Sequence, residues 1–361
     1  MTRLGVDALL RRDDLRLLLC VGTGGVGKTT LSAALAVRAA QLGRKVVVVT
    51  VDPARRLAQA MGLDTLGHDP AAVTLTAPGS LDAMMLDVQH AFDQALSLQV
   101  EAAEAERIRA NPFYKALARA FSGTQEYVAM EKIGELHRRA EVDQAWDLIV
   151  VDTPPSASAL DFLDGPNRLE ALARNPLLRV VLGLPRGPFG FLDAGAALAT
   201  RALDAILGGR LFGDLRTFLQ VFERAVLAFE SNAAQTRKLL ASKRAGFLVV
   251  AAPRPAPVAE AVRLADRLRD DGLPLPGVLI NQVTPVVEVP EAVLASALTS
   301  ADPAQQVVLE HHRSTAARRS AELAAAEPLI GLGVPAALID LRPDVLSDLA
   351  SLGRLFGGVD E

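Results

Sequence analysis

The sequence has little of several residue types, and each shortage excludes a class of protein. Its 361 residues include one cysteine and one tryptophan, and aromatic residues make up only 4%. A single cysteine, Cys20, cannot form an intrachain disulfide framework, and it excludes a zinc site that needs two cysteines from one chain. Because Cys20 lies in the apolar run LRLLLCVG, we interpret it as a small core residue.

Charge and hydrophobicity exclude further classes of protein. The net charge is −4 and the pI is about 5.8, whereas nucleic-acid-binding domains are usually strongly basic, so no nucleic-acid partner is expected. No segment approaches the roughly 18 consecutive apolar residues that a membrane-spanning helix needs. The first residues, MTRLGVDALLRRDDLR, carry charges where a signal peptide needs an apolar core, so we expect a cytoplasmic protein.

Five apolar runs are typical of strands that are buried on both faces of a parallel sheet. They lie at 15–22, 45–52, 146–155, 245–253 and 275–283. Helical periodicity follows the first run, and Gly43 stands where a C-terminal cap of that helix would fall. Strands that alternate with helices predict an α/β fold with a doubly wound, mostly parallel sheet.

Two long stretches lack the strand pattern. Residues 88–139 and 160–242 show helical periodicity, and we predict that they are two insertions forming a helical subdomain on a single domain that spans 1–361. The second stretch is rich in Leu, Phe and Gly. Two interpretations stay open: it is the core of the helical subdomain, or it is an exposed apolar groove for a hydrophobic client.

The segment GTGGVGKTT follows the first predicted strand and precedes the first long helix. It matches the pattern G-x-x-x-x-G-K-T through Gly22, Gly27, Lys28 and Thr29. Glycines allow successive backbone N–H groups to surround a phosphate, and the start of a helix adds a positive dipole end. Lysine then neutralises phosphate charge and the threonine hydroxyl binds Mg²⁺. The lysine is informative because the chain has six lysines and 32 arginines. The alternative is a glycine-rich turn that binds nothing.

Magnesium needs a second anchor, usually an acid at the end of a neighbouring strand. Asp152 follows four apolar residues in LIVVDTPP, where a carboxylate would be costly unless it faced a cation. Asp52 closes the run VVVVTVD in the same way. One acid can hold magnesium while the other orients the attacking water, and Asp52 has the further alternative of capping the next helix.

Four stretches, GGVGKTT, VDPARRLAQAMGL, VDTPPSASALDFLD and VLINQVTP, occur in the order and at the distances of a known family. The chain resembles the arsenical-pump ATPases, a family that includes the ATPase that targets tail-anchored membrane proteins and bacterial anion-transporting ATPases. The resemblance covers nearly the whole chain. It implies that ATP and Mg²⁺ are the ligands.

The resemblance also implies roles for single residues. Asp52 would position the attacking water, Asp152 would lie near the magnesium, and Asn281 would recognise adenine through its amide. Without the resemblance, Asn281 would be interpreted as a turn residue at a strand end. Residues 53–61 and 153–164 would be the switches that respond to the γ-phosphate.

The predicted site therefore has three overlapping groups of residues. The catalytic residues are Asp52 and Lys28, and the magnesium ligands are Thr29, Asp52 and Asp152. The residues that bind ATP are Gly22, Thr23, Gly24, Gly25, Val26, Gly27, Lys28, Thr29, Thr30 and Asn281.

The chain departs from the family pattern at two positions. Family members usually carry a lysine as the second loop residue, which reaches the partner's phosphates across a dimer interface, and here that residue is Thr23. Arg254 replaces an acid that follows a proline in the family, and it is interpreted either as a compensating cation or as a surface residue. The paired cysteines that bind zinc between subunits in eukaryotic members are absent, so no zinc is expected.

Several functions remain open because the resemblance fixes a family and not a client. We expect a Mg²⁺-dependent ATPase whose dimer opens and closes around a hydrophobic or membrane-protein client, with peripheral membrane association left open. The alternatives are the soluble motor of an arsenite-type anion pump and a weakly hydrolysing scaffold subunit. The dimer would be a homodimer or a heterodimer with a lysine-bearing paralogue. A DNA-partitioning ATPase would need a basic face, and the net charge argues against one.

Overall fold

One mostly parallel sheet organises the residues that the structure describes. The computed structural model describes residues 2–51, 56–87, 90, 93, 101–110, 125–153, 235–342, 346 and 348–356. The strands are β1 (Leu17–Gly22), β2 (Lys45–Thr50), β3 (Ala71–Ala72), β4 (Ser80–Met85), β5 (Leu148–Asp152), β6 (Ala245–Ala251), β7 (Gly277–Val283) and β8 (Ala336–Asp340). Their order is β3-β4-β2-β5-β1-β6-β7-β8, and every neighbouring pair is parallel except β3 with β4.

Helices follow or connect most of these strands. They are α1 (Val6–Leu10), α2 (Lys28–Gln41), α3 (Arg56–Met61), α4 (Ala102–Ala110), α5 (Gln125–Val142), α6 (Pro255–Asp270), α7 (Glu291–Ser300), α8 (Pro303–Ile330) and α9 (Leu349–Gly353). The 28-residue helix α8 begins with a capping box, in which Asp302 and Gln305 each bond to the backbone N–H of the other.

The predicted α/β class is confirmed, and the five predicted strands correspond to β1, β2, β5, β6 and β7. Every residue of β1, β5 and β6 is buried, as expected for apolar strands covered on both faces. The strands β3, β4 and β8 are not evident from the sequence. β3 has two residues, β8 has five, and Asp82 interrupts the apolar pattern of β4.

The core on one face of the sheet is formed by α1, α2 and α9. Side chains that alternate along the central strands meet the apolar side of α2, where Leu31 and Leu35 are fully buried. The strand residues in this core include Leu18, Cys20, Val46, Val48, Leu148, Val150, Leu248 and Val250. This packing fixes the start of α2, and therefore the loop before it, against the end of β1.

The chain divides into two compact units. The first is Met1–Met85, Ala140–Ala159 and Leu240–Glu361, and it contains the sheet. The second is Leu86–Arg139 and Leu160–Leu239. Its described part is helical, and Met130, Ile133 and Leu136 of α5 are buried there. The predicted insertions at 88–139 and 160–242 lie largely outside the described residues, so they stay predictions.

No helix within the described ranges is long and apolar enough to cross a lipid bilayer.

Arg44 joins three segments of the sheet-bearing unit from a buried position. Its guanidinium donates hydrogen bonds to the backbone oxygens of Leu10 and Arg12 at 3.1 Å, and to those of Leu15 and Asp147 at 2.7 Å. Burial lowers the pKa of Arg44 from its ordinary value, but a guanidinium is still protonated at neutral pH. Arg44 therefore satisfies four carbonyl oxygens, which lie at the end of α1, in the segment between α1 and β1, and just before β5.

We expect Arg44→Met to lower the free energy of unfolding by about 3 kcal/mol, because the substitution leaves buried carbonyl oxygens without donors. Urea titration followed by the fluorescence of Trp146, the single tryptophan, measures the change. Arg16→Met is the matched control, since Arg16 is more exposed, donates a long bond of 3.4 Å to the backbone oxygen of Asp147 and lies 3.8 Å from the carboxylate of that residue. Equal effects of the two substitutions would contradict the structural role of Arg44.

Candidate phosphate-binding site

The predicted phosphate-binding loop connects the end of β1 to the start of α2. β1 ends at Gly22 and α2 begins at Lys28. Gly27 caps α2 with φ of 91°, a left-handed conformation that favours glycine, and a Cβ there would overlap the side-chain amide of Asn281. At Gly22, a Cβ would overlap the backbone oxygen of Val250 on β6. The two glycines therefore allow the loop to lie directly against β6 and the end of β7.

Lys28 turns its ammonium group toward the loop. The residue is 6% exposed, and its Nζ donates a hydrogen bond of 2.8 Å to the backbone oxygen of Thr23. A buried ammonium group needs acceptors or a negative charge nearby. The same region contains the N-terminal end of the 14-residue helix α2, whose backbone N–H groups and dipole favour an anion.

A cavity of about 410 Å³ opens at the loop. Its lining residues are Gly25, Gly27, Lys28, Thr29, Thr30, Arg56, Thr153 and Gln282. The volume lies in the range of cavities that hold small ligands. Among the described residues that line it, two are cationic and none is a carboxylate. The lining therefore favours an anionic ligand.

Three lining residues are not among the single residues predicted for the site. Arg56, one of 32 arginines, and Thr153 lie within the predicted switches at 53–61 and 153–164, and no further sequence signal marks them. Gln282 follows Asn281, and only the structure brings it to the loop.

Asp152 ends β5, the strand between β1 and β2, and is fully buried. Its Oδ2 accepts a hydrogen bond of 2.9 Å from the hydroxyl of Thr50 at the end of β2. The next residue, Thr153, lines the cavity and donates its hydroxyl to the backbone oxygen of Cys20 at 2.8 Å. The acid predicted to lie near magnesium is therefore at the same edge of the sheet as the loop.

Cys20 is the neighbour of Asp152 on β1. Burial raises the pKa of the Cys20 thiol to about 12; the Asp152 carboxylate adds to this effect, while Ser32 and Lys28 oppose it. The thiol is fully buried and stays protonated at neutral pH. This environment agrees with the interpretation of Cys20 as a core residue.

The end of β7 contacts the loop through two consecutive side chains. Asn281 Nδ2 donates to the backbone oxygen of Val26 at 2.8 Å, and Gln282 Nε2 donates to that of Gly25 at 3.2 Å. Gln282 Oε1 accepts a bond of 3.3 Å from the exposed guanidinium of Arg254. Arg254 is thus two hydrogen bonds away from the loop backbone.

The structure brings most of the predicted site residues together. Residues 22–30 form the loop and the first turn of α2, Asp152 ends an adjacent strand, and Asn281 bonds to the loop. Asp52 and the parts of the predicted switches at 53–55 and 154–164 lie outside the described residues. The catalytic role of Asp52 and the adenine contact of Asn281 therefore stay predictions.

The donor groups at the cavity suit a magnesium-bound phosphate chain. Lys28 brings an ammonium group to the lining and Thr29 and Thr30 bring hydroxyl groups, and the start of α2 adds backbone N–H groups. The described part of the chain contains no cluster of three His, Cys, Asp or Glu placed to hold a metal. A magnesium ion here would instead use Thr29, Asp152 and phosphate oxygens, which is the usual pattern for this cation.

Comparison with known proteins identifies one family. Residues 15–205 match the family described as anion-transporting ATPase. An uncharacterized protein of Streptomyces coelicolor is 31% identical over 298 residues, which cover 81% of this chain and 67% of that protein.

Two named ATPases match shorter regions. ATPase GET3 of Malassezia globosa is 31% identical over 202 residues, covering 56% of this chain and 58% of that protein. ATPase BagA of Mycobacterium tuberculosis is 32% identical over 171 residues, covering 45% of this chain and 49% of that protein. The chain spans about half the length of the curated relatives it matches.

Arg56→Gln is expected to weaken the binding of inorganic tripolyphosphate about tenfold, because it removes a cation from the cavity and a charged hydrogen bond contributes about 1.5–3 kcal/mol. Isothermal titration calorimetry measures the affinity. The matched control is Arg263→Gln, which makes the same change of charge at a side chain that is 69% exposed on α6. An affinity that falls equally in both variants would attribute the loss to net charge and not to the cavity.

Proposed function

The chain belongs to the anion-transporting ATPase family, and from that premise we propose that it binds ATP with Mg²⁺ at the loop between β1 and α2 and hydrolyses the terminal phosphate. The observation that carries the proposal is the cavity of about 410 Å³ lined by the loop, by Lys28 and by Thr29. Phosphate chemistry needs positioning and charge neutralisation above all, and this cavity supplies cations, hydroxyls and a helix N-terminus.

Each residue at the cavity has a proposed task. Lys28 neutralises phosphate charge, and the hydroxyl of Thr29 together with Asp152 holds the magnesium ion. Magnesium, when bound, supplies further neutralisation of the phosphate oxygens. Asp52 orients the attacking water, and the Asn281 amide contacts the adenine edge, since an amide both donates and accepts hydrogen bonds.

The proposed cycle couples nucleotide state to a client. Two chains form a dimer that opens and closes around a hydrophobic or membrane-protein segment, in the manner of the targeting ATPases that the motifs resemble. Support comes from the composition of the Leu-, Phe- and Gly-rich stretch within 160–242, which would supply the apolar contact.

The anion-pump alternative is less well supported by the chemistry of this chain. A soft metalloid such as arsenite binds thiolates, and Cys20, the single cysteine, is buried with a pKa of about 12.

One observation favours the scaffold alternative. Thr23 brings no charge to the second loop position, so two copies of this chain would form sites without that trans-acting cation, and the hydrolysis would be slow.

Lys28→Ala is expected to abolish ATP binding measured by calorimetry, because the phosphates lose their buried cation. Asp52→Asn is the companion variant: it should bind ATP normally and lose turnover, since an amide keeps the shape and loses the charge that orients water. Unchanged ATP affinity in Lys28→Ala would overturn the nucleotide site. Wild-type turnover in Asp52→Asn would restrict Asp52 to capping a helix.

Thr23→Lys is expected to accelerate ATP hydrolysis by the homodimer, by tenfold for every ~1.4 kcal/mol of transition-state stabilisation that the new cation supplies. Steady-state phosphate release measures the rate. Thr23→Met controls for side-chain length, because it extends the side chain without a charge. If Thr23→Lys lowers the rate, another cation such as Arg254 already serves the site. Wild-type turnover like that of lysine-bearing relatives, unchanged in Thr23→Lys, would show that the loop works without a cation at this position.

A further inference from the structure

The end of β7 has an irregular backbone. The register with β8 shifts between Asn281 and Val283, which leaves Gln282 as an extra residue. Gln282 has φ of 65°, and Gln144 at 50° is the other non-glycine residue with positive φ in the described part of the chain. Such a conformation is unfavourable for a residue with a Cβ, and it commonly marks a functional constraint.

The irregularity changes the direction in which the side chains at the end of β7 point. In a regular strand, consecutive side chains point to opposite faces. Here the side chains of Asn281 and Gln282 both reach the loop, and they bond to the consecutive backbone oxygens of Val26 and Gly25. The bulge therefore directs two neighbouring amides to one target.

The bonds to the loop oxygens also fix the direction of the loop N–H groups. A trans peptide unit is planar, and its C=O and N–H point in opposite directions. When Gln282 holds the oxygen of Gly25, the N–H of Val26 points away from Gln282. Asn281 orients the N–H of Gly27 in the same way through the oxygen of Val26.

Arg254 fixes which end of the Gln282 amide faces the loop. A guanidinium can only donate hydrogen bonds, so the Gln282 atom that meets it must be the oxygen. The NH₂ group is then the part that faces Gly25.

We propose that Gln282 is a positioning residue for phosphate binding. Together with Asn281, it holds two loop peptides so that their N–H groups are available to the phosphate chain before the ligand arrives. The inference rests on the proposed function, because it requires a phosphate ligand at the loop. It adds a residue that acts through the loop backbone and independently of the nucleoside.

The test compares Gln282→Gly with Gln144→Gly in the full chain. Each variant removes the same amide from a position with positive φ, where glycine is more favourable, so the urea midpoint should stay or rise in both. Gln144 is exposed and is not among the residues lining the cavity. We expect about fivefold weaker binding of tripolyphosphate for Gln282→Gly alone, which corresponds to one lost hydrogen bond. Gln282→Leu, which keeps a Cβ, should show the same loss.

The two ligands separate the outcomes. Equal losses of affinity for tripolyphosphate and ATP support positioning of the loop. A loss for ATP alone would assign Gln282 to the nucleoside and overturn the inference, as would unchanged affinity for both ligands. A wild-type chain that binds neither ligand would instead overturn the proposed function, and with it the ligand that the inference requires.

Discussion

A loop that offers its backbone N–H groups to an anion must direct its carbonyl oxygens elsewhere, and the architecture around the site meets this requirement. Side chains from the start of α2 and the end of β7 hold three loop oxygens: Thr23 by Lys28, Gly25 by Gln282 and Val26 by Asn281. Since each peptide unit is planar, holding an oxygen also orients the N–H that follows. The conformation of the loop thus depends on side chains from α2 and from β7.

The order of strands explains how these elements meet. β1 lies between β5 and β6, so the sheet extends from β1 in both directions and the loop that follows β1 has a neighbouring strand on each side. In open α/β sheets, ligands bind beyond the carboxyl ends of the strands at such a point. The same edge holds Asp152, which the Thr50 hydroxyl stabilises in a buried position. Apolar packing beneath α2 holds the start of this helix against the sheet.

Binding and turnover depend on different groups in this arrangement. Under the proposed function, binding uses the loop backbone and the cations that line the cavity, Lys28 and Arg56, all of which belong to the sheet-bearing unit. Turnover depends on charges that stabilise the transition state more than the ground state. Thr23 brings no such charge to the second loop position. Membership of the ATPase family is therefore compatible with a wide range of hydrolysis rates.

The sequence by itself determined the α/β class, the five central strands and the position of the loop. Each follows from a local rule: strands buried on both faces need uninterrupted apolar runs, and a phosphate loop needs glycines, lysine and threonine in a fixed order. Only the tertiary structure decided that Arg56 lines the cavity and that Gln282 holds the loop. The bond from Gln282 to Gly25 joins residues 257 positions apart in the chain. No local pattern encodes that bond, because it arises from the order of the strands and from a bulge at the end of one of them.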